Sequence, residues 1–120
     1  MSTEYSSKAI ILSKGRALIL RRSKDRKWHY PGGHLNNGEK YIAGLAREIR
    51  EELSQTILKS PRHLFDVDNT RVYQAKLAGK RVRLSHEHID AQWIPIRDIH
   101  KLDLTKEAKK ITQQLQRMRI

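Results

Sequence analysis

The chain has 120 residues, 38% of them hydrophobic and 32% charged, with 25 Lys plus Arg against 13 Asp plus Glu for a formal charge of +12. That length fits one domain, residues 1–120, able to bury roughly two-thirds of its unfolded surface, and apolar residues spread along the whole chain exclude the disordered class. Cysteine is absent, which excludes disulfides and thiolate metal sites and fits a reducing compartment, while the charge balance favours anionic partners.

Residues 1–5 carry no basic segment ahead of an apolar run, and the longest apolar stretches, such as residues 17–20, are far too short to span a bilayer. The expectation is a cytoplasmic protein with no membrane partner. Residues 7–12 and 16–22, rich in Ile, Leu and Ala around Lys14-Gly15, read as two strands. Lys14, Arg16, Arg21, Arg22, Lys24, Arg26 and Lys27 crowd this stretch, opposed only by Asp25. Singly they read as a solvated surface; together they suit a polyanion.

A loop with Trp28, Tyr30, Pro31, Gly32 and Gly33 follows, and then a helix over residues 40–53, where Ile42, Leu45, Ala46, Ile49 and Leu53 recur at helical spacing. After Ser60-Pro61 the period changes to two. Tyr73, Ala75 and Leu77 alternate with Val72, Gln74 and Lys76, and Ala78-Gly79 turns the chain toward Val82 and Leu84, a predicted hairpin. Residues 91–96 form a short strand that Pro95 places at an edge or a strand end. A terminal amphipathic helix starts at Thr105 as N-cap and carries Ala108, Ile111, Leu115 and Met118 on one stripe. Irregular alternation of strands and helices points to a mixed sheet with helices packed on it.

The chemistry concentrates in Arg47-Glu48-Ile49-Arg50-Glu51-Glu52. At about 100° per residue the three glutamates share one face, away from the apolar stripe. Like charges at that spacing destabilise a helix, so a cation should offset them. Mg²⁺ or Mn²⁺ suits oxygen donors and can bridge phosphates; the plain alternative is an acidic face bridged to Lys and Arg.

Reading outward, Gly33 is followed after five residues by Glu39, then after seven by Arg47-Glu48, an aliphatic residue, any residue and Glu51-Glu52. This resembles the Nudix box over residues 33–55, about a fifth of the chain. Ser54 and Gln55 depart from the Gly and aliphatic residue that end the box. Gly there serves a left-handed cap, so Ser54 implies a different helix end, running on toward Ile57.

The resemblance implies an α/β/α sandwich with a mixed central sheet. It implies that Glu48, Glu51 and Glu52 bind the divalent metal together with a backbone carbonyl of Gly32 or Gly33, and that Glu39 and Arg47 brace loop against helix. Residues without Cβ allow such a close backbone approach. Glu87, before Trp93, resembles a Glu that many of these proteins carry as metal ligand or general base, and Glu48 is the other candidate base.

The implied reaction is attack of water on a phosphoanhydride of a nucleoside diphosphate-linked substrate, a nucleoside triphosphate first. An RNA 5′ end (cap or triphosphate), a dinucleoside polyphosphate and a non-catalytic nucleotide- or RNA-binding module are the alternatives. Substrate contacts are expected from Trp28, Tyr30, His34 and Arg21. Tyr73 resembles a marker of diadenosine polyphosphate hydrolases, with a core tyrosine as the plainer reading. His86 and His88, two apart, could share a zinc ion on one strand face, but no third His or Cys stands at motif spacing. A homodimer is compatible with the sequence.

Overall fold

A computed structural model describes residues 4–118; residues 1–3, part of the segment read above for a leader, lie outside the described residues. The elements run β1 (Ser6–Ser13), β2 (Arg16–Arg22), β3 (Trp28–His29), β4 (Gly32–His34), α1 (Tyr41–Leu53), β5 (Ile57–Val67), β6 (Thr70–Leu77), β7 (His88–Pro95), a 3-10 helix (Ile96–Lys101) and α2 (Lys106–Arg117).

The sheet is mixed, in the order β3-β2-β1-β6-β5, with β4 also on β1 and β7 also on β2. Among the paired strands of the described residues, only β1 and β6 run parallel. Alternation in the central strands sends side chains to both faces. Ala9, Ile11, Leu18, Leu20, Tyr73 and Ala75 pack against Leu45, Ile49 and Leu53 of α1. Ile10, Ile19 and Val72 pack on the other side with Ala108, Ile111 and Leu115 of α2. Both faces being covered explains why β1 and β2 read as nearly continuous apolar runs.

Three expectations are corrected. The hairpin is made by β5 and β6 around Asp68 and Asn69, not by a turn at Ala78-Gly79. Strand β5 escapes the sequence pattern because Ser60-Pro61 looks like a break; β5 absorbs it where the pairing register shifts between Leu58 and Arg62, with Lys59 at φ 62°. Residues 78–87 instead run irregularly past the end of α1, where Arg83 N donates to Leu53 O and Ser85 N to Glu52 O. Finally, α1 stops at Leu53: Ser54 itself takes the left-handed conformation, φ 55° and ψ 40°, and its N–H donates to Arg50 O. Two expected features are present: Thr105 caps α2 by accepting from Ala108 N at 3.1 Å, and Pro95 ends β7.

Packing of loop on helix depends on Gly44. A Cβ there would lie 2.3 Å from Leu35 Cδ2 and 3.0 Å from Glu39 Oε1. Gly44→Ala is expected to lower stability by about 1–2 kcal/mol, since overpacking outweighs the gain in helix propensity. Urea unfolding would read the sign, and a more stable variant would show that Leu35 yields freely.

Candidate active site

The box helix and the glycine hinge meet at one end of the sheet, where β1, β4 and the start of β7 converge. Gly32 has φ +127°, and a Cβ on it would sit 2.1 Å from Ser7 O. A Cβ on Gly33 would lie 2.8 Å from Glu48 Cδ. Both positions therefore need glycine, the first for the backbone path and the second to admit Glu48.

Arg47 organises the loop side. Its Nε and Nη2 each donate to a Glu39 carboxylate oxygen at 2.9 Å, Nη2 also reaches His34 O at 3.0 Å, and Nη1 holds Glu48 at 2.9 Å and Glu51 at 3.2 Å. A planar fork against a carboxylate fixes orientation as well as charge. The Arg47 guanidinium, helped by the Asn36 N–H, holds Glu39 down to about 2.

Glu48 and Glu52 line a cleft of about 990 Å³ together with Lys8, His29, Gly32, Gly33, His34, Glu87 and His88. Glu52 forms its floor, only 4% exposed. Its Oε1 accepts from Gly32 N at 2.7 Å, and its Oε2 lies 3.6 Å from His88 Nε2. Burial raises its carboxyl to about 8; Lys8 and the Gly32 N–H pull it down, and Glu48 and Glu87 push it up.

Of the expected site residues, Glu48, Glu52, Glu87, Gly32, Gly33 and His34 all line this cleft. Glu51 does not: its side chain is 58% exposed and bonded to Arg47. The expected substrate contacts of Trp28 and Tyr30 are corrected, and Tyr73 takes the plainer reading of a core tyrosine. All three are buried, with Trp28 and Tyr30 in the core beneath α2 and Tyr73 in the core beneath α1; Tyr30 Oη meets Thr112 Oγ1 at 2.8 Å. Arg21 also faces away, lying over the Trp28 ring with Nε on Arg26 O, while its neighbour Arg22 lines the cleft. Strand alternation explains the exchange.

Sequence reasoning missed Lys8, Lys106 and Glu107 in the cleft and the pairing of His29 with His88, whose Nε2 atoms are 2.7 Å apart. The rings stack at 5.0 Å. His88 is buried whereas His86 is exposed, so the partner of His88 comes from β3 and not from two residues back. Burial lowers both imidazole pKa values, and the charge of Lys8 adds to it.

The ligand atoms of His29, Glu52 and His88 lie within 4.8 Å of one another, but the outer nitrogens of the imidazoles lack the acceptors that metal-bound histidines use. His29 Nδ1 faces Lys8 Nζ at 3.2 Å, and His88 Nδ1 is buried without a partner. The oxygen donors of Glu48, Glu52 and the Gly32 carbonyl are the better fit to a divalent cation. They are hard ligands on a carboxylate face, and the buried Glu52 carboxyl lacks an ammonium or guanidinium within 4.0 Å among the described residues.

These shifts fix a pH profile for the metal-free protein. Below about 6.5 the unfolded chain protonates His29 and His88 while the folded one keeps them neutral, so stability rises with pH up to that point. Between 4.5 and about 8 the unfolded chain releases the Glu52 proton that the folded one retains, so this contribution falls with pH. The two imidazoles outweigh it below 6.5; above that point their gain is complete, and the fall due to Glu52 is opposed by Lys8, whose pKa burial lowers. The Tm in EDTA is expected to peak near neutrality and decline toward pH 8, and Glu52→Gln should abolish the decline. A wild-type Tm that stays level from pH 7 to 8.5 would mean that Glu52 is already ionised.

Comparison with known proteins places this arrangement. The NUDIX domain profile matches residues 6–115. Nucleoside triphosphatase NudI of Escherichia coli O139:H28 is 26% identical over 124 residues, covering 84% of this chain and 88% of that protein. The MutT protein of Methanosarcina mazei Go1 superposes with a TM-score of 0.73 at 28% identity over 95% of this chain and 93% of that one. An ADP-ribose pyrophosphatase from Streptococcus suis shares the fold, with a TM-score of 0.75 at 16% identity over 99% and 96%. With the profile spanning nearly all of the chain, and the glycine hinge and glutamate helix joined in one cleft, the protein belongs to the Nudix family and is a pyrophosphohydrolase acting on acid anhydrides.

Proposed function

We propose that the protein hydrolyses a nucleoside triphosphate or a closely related nucleotide with Mg²⁺ or Mn²⁺. The observation that carries this reading is the buried Glu52 carboxyl, bonded to Gly32 N and sharing the cleft with Glu48 and Glu87. Glu48, Glu52 and the Gly32 carbonyl would hold the metal, with Glu51 close by on the helix. When bound, it would supply charge neutralisation on the phosphate oxygens and a more acidic water.

The protein's own groups do the rest. Arg22, Lys24 and Lys106 at the cleft offer positive charge to the polyphosphate. Glu87 or Glu48 takes the proton from water as its oxygen bonds to phosphorus, and the bridging P–O bond breaks with its electron pair leaving on the departing phosphate. The loop bearing Glu87 is pinned to the end of β2, since Ser23 N donates to Glu87 O and Ser23 Oγ to His86 O, both at 2.8 Å.

A second reading, hydrolysis at an RNA 5′ end, draws on Lys80, Arg81 and Arg83. These exposed residues follow β6, on the segment that passes the end of α1 and leads to Glu87 in the cleft. A panel of nucleoside triphosphates, dinucleoside polyphosphates and 5′-triphosphate RNA with Mg²⁺ tests both readings. Pyrophosphate release from free triphosphates is the expected result. Turnover confined to RNA, with steeply salt-dependent binding, would move the assignment, and turnover of nothing in the panel would reject it.

A further inference from the structure

No Asp or Glu stands between Asp68 and Glu87, a stretch that holds Lys80, Arg81 and Arg83. All three are exposed, and among the described residues none is ion-paired; the Lys and Arg partners of the carboxylates there are Arg22, Arg47, Lys101 and Lys110. The segment is tied down although it is not a strand. Val82 and Leu84 pack against the core beneath α1, so Arg81 and Arg83 stand outward on either side of Val82. Ala78 N donates to Thr56 O at 2.8 Å, and Arg83 N to Leu53 O at 3.0 Å.

Gln55 closes the turn between these two bonds. Its Oε1 accepts from Gly79 N at 3.0 Å and its Nε2 donates to Arg81 O, so the amide brackets Lys80. A Cβ on Gly79 would lie 3.1 Å from Gln55 Oε1, and the glycine therefore lets the amide approach. Gln55 is one of the two residues that depart from the box pattern, and an aliphatic side chain there could make neither bond. Three mutually repelling charges are thus held along one edge, which lowers the ordering cost of binding an anion that matches them.

We propose that residues 79–83 are a docking arm for the ribose-phosphate backbone of single-stranded RNA, with Gln55 as its positioning residue. The arm runs on through Ser85, whose N–H donates to Glu52 O at 3.1 Å, to Glu87 in the cleft. Residues two apart on an extended run stand about 6.5 Å from each other, close to the separation of successive phosphates on an extended strand. An RNA begun on a nucleoside triphosphate presents its anhydride to the cleft and the phosphodiesters that follow to Arg83 and Arg81. The inference rests on the RNA 5′-end reading and deepens it.

A 5′-hydroxyl oligoribonucleotide reads the arm apart from the chemistry, because it has no anhydride to cleave. Its affinity is measured by fluorescence anisotropy across a salt series for wild type and two triple variants. Lys80→Gln/Arg81→Gln/Arg83→Gln empties the arm; Arg97→Gln/Lys109→Gln/Arg117→Gln removes the same charge from exposed positions on the 3-10 helix and α2. Three phosphate contacts predict that the arm variant loses about 2 from the slope of log K against log salt, and about tenfold or more in affinity at about 0.1 M salt, while the control stays near wild type. Gln55→Leu keeps every charge, so its slope should hold while affinity falls about three- to tenfold.

Equal losses in the arm and control variants mean diffuse charge and overturn the proposal, and a Gln55→Leu that binds like wild type overturns the clamp. Polyglutamate bound more tightly than the oligonucleotide would make the partner an acidic protein and overturns the RNA assignment. Unaltered turnover of sub-saturating 5′-triphosphate RNA by the arm variant overturns the arm and leaves the RNA-end reading standing. If wild type binds the oligonucleotide through the arm but leaves 5′-triphosphate RNA intact, that reading fails, and with it the arm as a route into the cleft. Should the triple variant not fold, Arg81→Gln and Arg83→Gln singly are each expected to remove about 0.7 from the slope, and unchanged slopes overturn the proposal.

Discussion

Glu52→Gln is expected to reduce kcat by about 10²–10³-fold or more, the scale of losing one preorganised electrostatic group in a closed site, while the protein stays folded. Both halves follow from the same burial. A carboxyl raised to about 8 is largely protonated at pH 7 in the metal-free protein, so a neutral amide of the same shape replaces it at little cost. The amide oxygen keeps the bond from Gly32 N that Oε1 accepts at 2.7 Å. What the amide does not offer is a carboxylate, and a divalent ion on this face recruits one by displacing the proton. Steady-state kinetics on a nucleoside triphosphate, set beside a thermal melt, reads both halves. Undiminished turnover would remove Glu52 from the site, and a collapsed melt would mean that the carboxyl is ionised and structural.

Gly32→Ala is expected to cost about 3–5 kcal/mol of stability, combining a backbone collision with a conformation open essentially only to glycine. The collision is with backbone: Cβ would stand 2.1 Å from Ser7 O and 2.9 Å from Lys8 Cα, at φ +127°. Neither atom can step aside without parting β1 from β4. Gly33→Ala is the instructive contrast, because its nearest obstacle is the Glu48 carboxylate at 2.8 Å, a side chain that can swing. That variant should fold and lose activity instead, with Glu48 displaced from its place beside Arg47. Urea unfolding and kinetics on both variants give the comparison; equal stability losses would refute the division of labour between the two glycines.

The helix and its acidic face are legible in the sequence because α1 is set by local rules. Apolar residues at helical spacing choose the buried side, so the glutamates between them must lie on another. The hinge is legible too, as paired glycines in register with Glu39 and Arg47. The aromatic assignments fail for a different reason. Neighbourhood in the chain puts Trp28 and Tyr30 near the site, and spacing alone singles out Tyr73, whereas the pleat of the sheet decides which way each side chain points. Strand β5 escapes because a proline at a register shift looks, in one dimension, like a terminator, and Ser54 shows that a left-handed cap is a backbone conformation before it is a residue type.

Residues 33–52 determined by helical spacing that the glutamates would share a face apart from the core, and their resemblance to the Nudix box implied the Glu39–Arg47 pair that joins this helix to the glycine loop. Only the tertiary structure brought Lys8, His29 and His88 under the same carboxylates, from three strands far apart in sequence. Their burial follows from sheet register, and burial is what raises Glu52 and holds the imidazoles neutral. The identity of the acids was written locally; their protonation depends on the low-polarity surroundings that the folded sheet builds around them.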